Sequence, residues 1–230
     1  MAETVELLSP ARDLACGRAA VDSGADAVYI GGPSFGARSA AGNSLADIEE
    51  LCRYAHRFGV RIHAALNTIL TDSELEEAGK LAWQLYEAGA DALIIQDPGL
   101  LQLDLPPLEL HASTQQDNSL PEKVRFLREL GFSQAVLARE MTLEEIRSVS
   151  DSCPGIRLEF FVHGALCAGI SGRCYLSQRL SGRSANRGVC AQYCRLPYDL
   201  VDARGQVLLQ GKHLLSLRDL NRSEPDLEAL

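Results

Sequence analysis

Aromatic residues are scarce in this 230-residue chain: six Phe, six Tyr and one Trp, 6 % in all. Ala, Leu and Gly take their place, a mix that favours an α/β architecture over a β-sandwich. No run of 18 apolar residues occurs, and the opening MAETVELLSPARD has neither a basic n-region nor an apolar h-region. Neither a transmembrane helix nor a secretory leader is expected, and a cytoplasmic location is. HExxH is missing, and GKH at 211–213 belongs to no P-loop pattern, so the motif-bearing zinc proteases and the P-loop nucleotide sites are excluded. Acid is missing from one place in particular. Residues 160–198 hold five Arg and one His but no Asp or Glu, in a chain whose formal charge is −9.

What is present reads as one globular domain, with 46 % apolar and 23 % charged residues. Seven short apolar runs lie at 5–9, 26–32, 60–67, 91–97, 108–113, 134–140 and 157–164. Amphipathic helical stretches separate most of them, such as 44–59 and 73–89, the second opened by a capping box, TDSE, at 71–74. SGADAVYIGG (23–32) and AGADALIIQD (88–97) repeat one junction, and GFSQAVLARE (131–140) is a weaker copy. In each, Gly ends a helix and a buried parallel strand follows. Seven such units predict a TIM-like (β/α)8 barrel cut to about seven βα units, with a doubly wound sheet as the alternative. The expected division is barrel units over 1–165, a Cys/Arg-rich segment over 166–198, and the start of a further segment over 199–230.

In such barrels chemistry sits at the C-terminal strand ends. Here those ends carry Ser9, Gly31–Gly32, Asn67, Gln96–Asp97, His111–Ser113, Arg139–Glu140 and His163–Gly164. His111, Arg139, Glu140 and His163 are the candidates for polar groups of a catalytic pocket. Gly31 and Gly32, in GGPSFG, could cradle a phosphate or a carboxylate with backbone N–H groups, although an ordinary βα turn has the same composition.

Cys167, Cys174, Cys190 and Cys194 are spaced C-x6-C-x15-C-x3-C. Three readings compete. Structural zinc prefers tighter pairs, an iron–sulfur cluster tolerates wider spacings, and the thiols could be unliganded. Disulfides are disfavoured in a reducing compartment. Cys16 and Cys52 read as small buried residues of helices, and Cys153 has no assigned role. Arg173, Arg179, Arg183, Arg187 and Arg195 either offset thiolate charge or bind RNA phosphates, with Tyr175 or Tyr193 stacking on a base.

EFFVHGALCAGISGRCYLS (159–177) resembles the signature of the U32 "peptidase" family. ELLSPARD (6–13), LDLPPLELHASTQ (103–115), GRSANRG (182–188) and CRLPY (194–198) resemble the branch that hydroxylates cytidine in 23S ribosomal RNA. The resemblance implies a TIM-like barrel, a [4Fe–4S] cluster on Cys167, Cys174, Cys190 and Cys194, and hydroxylation of a base at C5. It also implies ribosomal RNA as substrate and prephenate as a required small-molecule metabolite. Relatives acting on tRNA uridine, a collagenase-like peptidase, and a non-catalytic metal-stapled RNA-binding module are the alternative readings. Family members continue past the position of Leu230 into a strand with a pattern like FKIEGR, so the eighth strand is expected to be missing here.

Overall fold

A computed structural model describes residues 5–38, 42–216 and 220–222. Of the segment expected over 199–230, residues 217–219 and 223–230 therefore lie outside the described residues. Seven strands form one parallel sheet in sequence order: β1 (Leu8–Ala11), β2 (Ala27–Gly31), β3 (Arg61–Leu66), β4 (Ala92–Ile95), β5 (Glu109–Ala112), β6 (Gln134–Val136) and β7 (Arg157–Glu159). Five helices connect them on the outside: α1 (Leu14–Asp22), α2 (Leu45–His56), α3 (Asp72–Glu87), α4 (Pro121–Glu129) and α5 (Leu143–Ser152). Between β4 and β5 a single 3-10 turn, Pro98–Gln102, replaces the helix. The sheet curls into an open half-barrel, as the count of seven βα units predicts.

The hydrophobic core lies between sheet and helices. Val28, Ile30, Ile62, Ala64, Leu66, Leu93 and Ile95 project outward against Ile48, Leu51, Ala78, Leu81 and Leu85 of α2 and α3. A Cβ on Gly17 would stand 2.6 Å from the Leu51 side chain, so glycine is what lets α1 approach α2 this closely. The capping box at Thr71 is present, with the Thr71 N–H donating to the Glu74 carboxylate at 2.8 Å.

At the repeated junction the glycines end helices, as the pattern predicts, and the aspartates add a tie between strands. Gly24, Gly89 and Gly131 take φ of 91°, 95° and 96°, which terminates α1, α3 and α4 in the left-handed region. The aspartates that follow tie the strand starts together. Asp26 accepts the Leu7 N–H and Asp91 the Ile62 N–H, each at 2.7 Å. In the weaker copy Ser133 stands there, and its hydroxyl lies 3.4 Å from the Leu110 carbonyl oxygen.

Two boundaries differ from the sequence reading. β1 lies at Leu8–Ala11 rather than 5–9 and runs through Pro10. An edge strand tolerates proline because one row of its N–H groups has no partner strand. The run 157–164 splits after β7. Phe160 still packs on the helix-side core, and the chain then leaves the sheet. A three-residue strand, β8 (His163–Ala165), pairs antiparallel with β11 (Leu220–Arg222). The remaining elements are α6 (Leu176–Ser181) and a hairpin of β9 (Tyr198–Val201) and β10 (Val207–Lys212). Cys52 is buried and burial pushes its thiol up to about 12, whereas Cys16 is exposed, contrary to expectation: it lies on the solvent side of α1. Cys153 is buried, with its thiol 3.2 Å from the Pro121 carbonyl oxygen.

Candidate active site

The Cys/Arg-rich segment is fastened across the C-terminal ends of the barrel strands. After β3, the Ile69 N–H donates to the Asn186 carbonyl at 3.0 Å, and Arg187 donates to the Ile69 carbonyl at 3.0 Å. Arg187 also takes both oxygens of Glu74, at 3.0 and 2.5 Å. This planar double contact and the Thr71 N–H hold the Glu74 carboxyl down to about 2. After β5, Arg173 pairs with Asp117 at 3.0 Å. After β6, the Glu140 carboxylate accepts the Ser171 N–H and hydroxyl, each at 2.8 Å, while the Arg139 N–H and Nε lie 3.3 Å from the same hydroxyl. Two glycines make the contact close. A Cβ on Gly172 would collide with the Gln115 carbonyl oxygen, and one on Gly188 with that of Gly36. Both take positive φ, 71° and 80°.

Beneath this lid the inner face of the half-barrel is polar. Tyr29, His63, His111, Gln134 and Glu159 alternate with the outward apolar positions of their strands. His63 and His111 are fully buried, with ring centroids 4.7 Å apart and planes at 88°. Burial lowers both to about 4, so both rings are neutral at pH 7. His111 Nε2 lies 3.2 Å from Glu109, which also binds Arg157, at the N-terminal strand ends. Among the described residues, both ring nitrogens of His63 and Nδ1 of His111 lack a hydrogen-bond partner. Burial raises the Glu159 carboxyl to about 7, against a 2.7 Å hydrogen bond from Gln134. Tyr29 is raised by burial and by Glu159, while Arg38 and Arg139 act the other way. These two guanidinium groups and the Glu159 carboxyl therefore share the field around Tyr29.

The four cysteines occupy the lid. Burial raises the Cys194 thiol, Arg195 opposes the shift, and Cys167, Cys190 and Cys174 add to it. The other three sulfurs thus lie within electrostatic range of Cys194. Gly169 keeps the space beside Cys174 open, since a Cβ there would be 3.2 Å from its sulfur. The buried Ser177 hydroxyl accepts the Ala191 N–H at 3.0 Å and lies 3.8 Å from the Cys190 sulfur. Among the described residues no three His, Cys, Asp or Glu side chains close on a common metal position. The donor chemistry nonetheless suits a thiolate-ligated group: four free thiols, no competing carboxylate in the segment, and arginines to balance charge.

The sequence candidates fall into separate settings. His111 is inside the barrel, directed to Glu109 rather than to the mouth. Arg139 and Glu140 are at the mouth and hold Ser171. His163 is exposed on β8, beyond the barrel sheet. Gly31 gives its carbonyl to the Asn43 side chain at 3.1 Å, Gly32 is buried, and the loop they open lies under Gly188. Arg173, Arg187 and Arg195 are engaged within the chain, Arg195 with Ser216 at 3.0 Å and with the Leu166 carbonyl. Arg183 Nε donates to the Val189 carbonyl at 3.2 Å, and Arg179 is exposed. The sequence reading missed Tyr29, His63, Gln134 and Glu159. For His63 and Glu159 the signal was the polar residue at every second position in RIH (61–63) and RLE (157–159), the alternation also present in ELH (109–111).

The sequence profile described as Peptidase family U32 matches residues 12–229.

The chain belongs to peptidase family U32.

This U32 chain is similar to the 23S rRNA 5-hydroxycytidine C2501 synthase of Escherichia coli (strain K12), at 57 % identity over 226 residues, covering 98 % of the chain and 34 % of that protein. It is 38 % identical over 213 residues to tRNA hydroxylation protein P1 of Bacillus subtilis (strain 168), covering 90 % of the chain and 50 % of that protein. The chain thus spans between a third and a half of the length of these relatives. The solved structure of the U32 peptidase Mk0906 shares the fold, with a TM-score of 0.64 at 14 % identity over 94 % of this chain and 91 % of that one. Among the described residues, no helix is long and apolar enough to cross a membrane.

Proposed function

We propose that this U32 chain is the catalytic barrel of a cytoplasmic RNA base hydroxylase that forms 5-hydroxycytidine in 23S ribosomal RNA. The observation that carries the reading is the 57 % identity to a 23S rRNA 5-hydroxycytidine synthase across nearly the whole chain. The site supports it with a cationic lid over a polar barrel mouth. Replacing a C5–H by C5–OH is a two-electron oxidation that also needs an oxygen donor. A [4Fe–4S] cluster on Cys167, Cys174, Cys190 and Cys194 would supply electron transfer.

The chain's own residues have the other tasks. The target cytosine must leave its stack to reach the mouth. Glu159, poised near 7, can give or take a proton at its carboxyl oxygen at neutral pH. Tyr29 lies within its electrostatic reach. Arg38 and Arg139 are the cations available to a dicarboxylate such as prephenate, the metabolite that the family resemblance implies. Arg139 and Glu140 also keep Ser171, and with it the lid, on the barrel. Those lid arginines that the fold leaves without an acidic partner neutralise RNA phosphates.

The test is mass spectrometry of a 23S rRNA fragment incubated with anaerobically prepared chain, prephenate and a two-electron acceptor, with water as the oxygen donor, so that C5–H and water give C5–OH while two electrons and two protons leave. The reading requires one cytidine to gain one oxygen atom, and requires Glu159→Gln and Arg139→Ala to abolish that gain while iron content is kept. Full modification by both variants would remove Glu159 and Arg139 from the site. Casein cleavage that persists in Cys174→Ala, with no rRNA modification by the parent chain, would favour proteolysis.

A further inference from the structure

The five lid arginines are not equivalent, and their difference locates a contact surface. Arg173, Arg187 and Arg195 are fastened to Asp117, Glu74 and Ser216 within the chain. The Arg179 side chain makes no hydrogen bond or ion pair among the described residues and is exposed. Among the described residues Arg183 bonds only through Nε, to the Val189 carbonyl, and it is exposed. The exposed Tyr175 precedes α6, and the Arg179 N–H donates to its carbonyl at 2.9 Å. That backbone bond sets Tyr175, the N-cap, and Arg179 one turn apart along α6. Gly182, at φ 73°, ends the helix immediately before Arg183. The other side of α6 carries the buried Ser177 that packs against Cys190. No acid lies between 160 and 198 to neutralise the outer side.

We infer that Tyr175, Arg179 and Arg183 form the face that receives single-stranded RNA, with the two guanidinium groups on phosphates and the tyrosine ring on a base. The inference rests on the RNA reading above and deepens it. A ring flanked by free guanidinium groups is the pattern by which unpaired nucleotides are held without sequence readout. The same helix that meets RNA outside meets a candidate ligand thiol inside, which brings the strand next to the cysteine nest.

The test is fluorescence anisotropy of a labelled, unstructured RNA 12-mer titrated with full chain at several salt concentrations. Each of Arg179→Ala and Arg183→Ala is expected to reduce the slope of log affinity against log salt by about 0.7, the value for one phosphate contact on a single strand. Arg179→Lys should keep the slope. Tyr175→Ala should weaken binding on the order of tenfold with the slope unchanged. Arg187→Ala should lower the melting temperature and leave the slope intact. An unchanged slope in both alanine variants would overturn this surface while leaving RNA binding standing. Absence of salt-dependent binding by the parent chain would overturn the RNA reading itself. Equal competition by heparin with no effect of Tyr175→Ala would mark a general polyanion surface and overturn the stacking role.

Discussion

His63 and His111 stay uncharged because protonation would place a cation where no water reaches. Their folded pKa values near 4 lie below the unfolded value of about 6.5. Between those limits the unfolded chain binds more protons, so stability falls as pH drops from about 6.5 towards 4, on the order of 3 kcal/mol for each ring. Glu159 works against this. Its folded pKa of about 7 lies above the unfolded carboxyl, so its contribution falls as pH rises from about 4.5 to 7. Two rings outweigh one carboxyl, and denaturation midpoints should rise with pH to a maximum near 6.5. His63→Phe should flatten the acid side of that profile, and Glu159→Gln should raise the midpoint at pH 8; an unchanged profile in both would contradict the buried polar layer. Of this layer only His111 was legible in the sequence. The pattern predicts strands buried on both faces, and a polar side chain turned into a barrel looks the same in sequence as one turned to solvent.

At the scale of elements, the helices and strands were legible because their periods, caps and terminating glycines are local. The capping box at Thr71 and the left-handed Gly24 and Gly89 stand where the pattern put them. The lid was not legible as a lid, because its fastenings join residues 31 to 118 positions apart, Ser171 to Glu140 and Arg187 to Ile69 being the extremes among its side-chain bonds. Spacing marked the cysteines and arginines without saying which arginines the fold consumes. The fastenings predict two outcomes. Gly188→Ala should destabilise the lid by at least about 1–2 kcal/mol from the left-handed backbone alone, before the collision with Gly36. Limited proteolysis should then cut within 166–198 while the barrel stays intact, and uncut lid would contradict the tight approach. Glu74→Gln, at a half-exposed pair, should cost about 1 kcal/mol or less by thermal melting. A loss of several kcal/mol would mean that Glu74 carries more of the lid than the Arg187 pair and the cap account for.

Across the whole molecule, an acidic half-barrel carries a cationic, thiol-rich lid at the mouth where barrel chemistry belongs. The helix-side core holds the sheet and leaves the inner face free to be polar. Among the described residues β1 and β7 each pair on one side only, so the seven-strand count read from the sequence is also the count in space. The division of charge has a consequence for metal binding. The body supplies nearly all the acid, and the lid supplies thiols and guanidinium groups. A hard divalent cation therefore has little to hold it in the lid, whereas a thiolate-bound cluster has both ligands and counter-charge.

The most direct test of this account is the iron, sulfide and zinc content of the chain purified without oxygen. About four irons and matching sulfide per chain, lost in Cys174→Ala, is the predicted result. About one zinc and no iron would contradict it and make the four cysteines a structural staple.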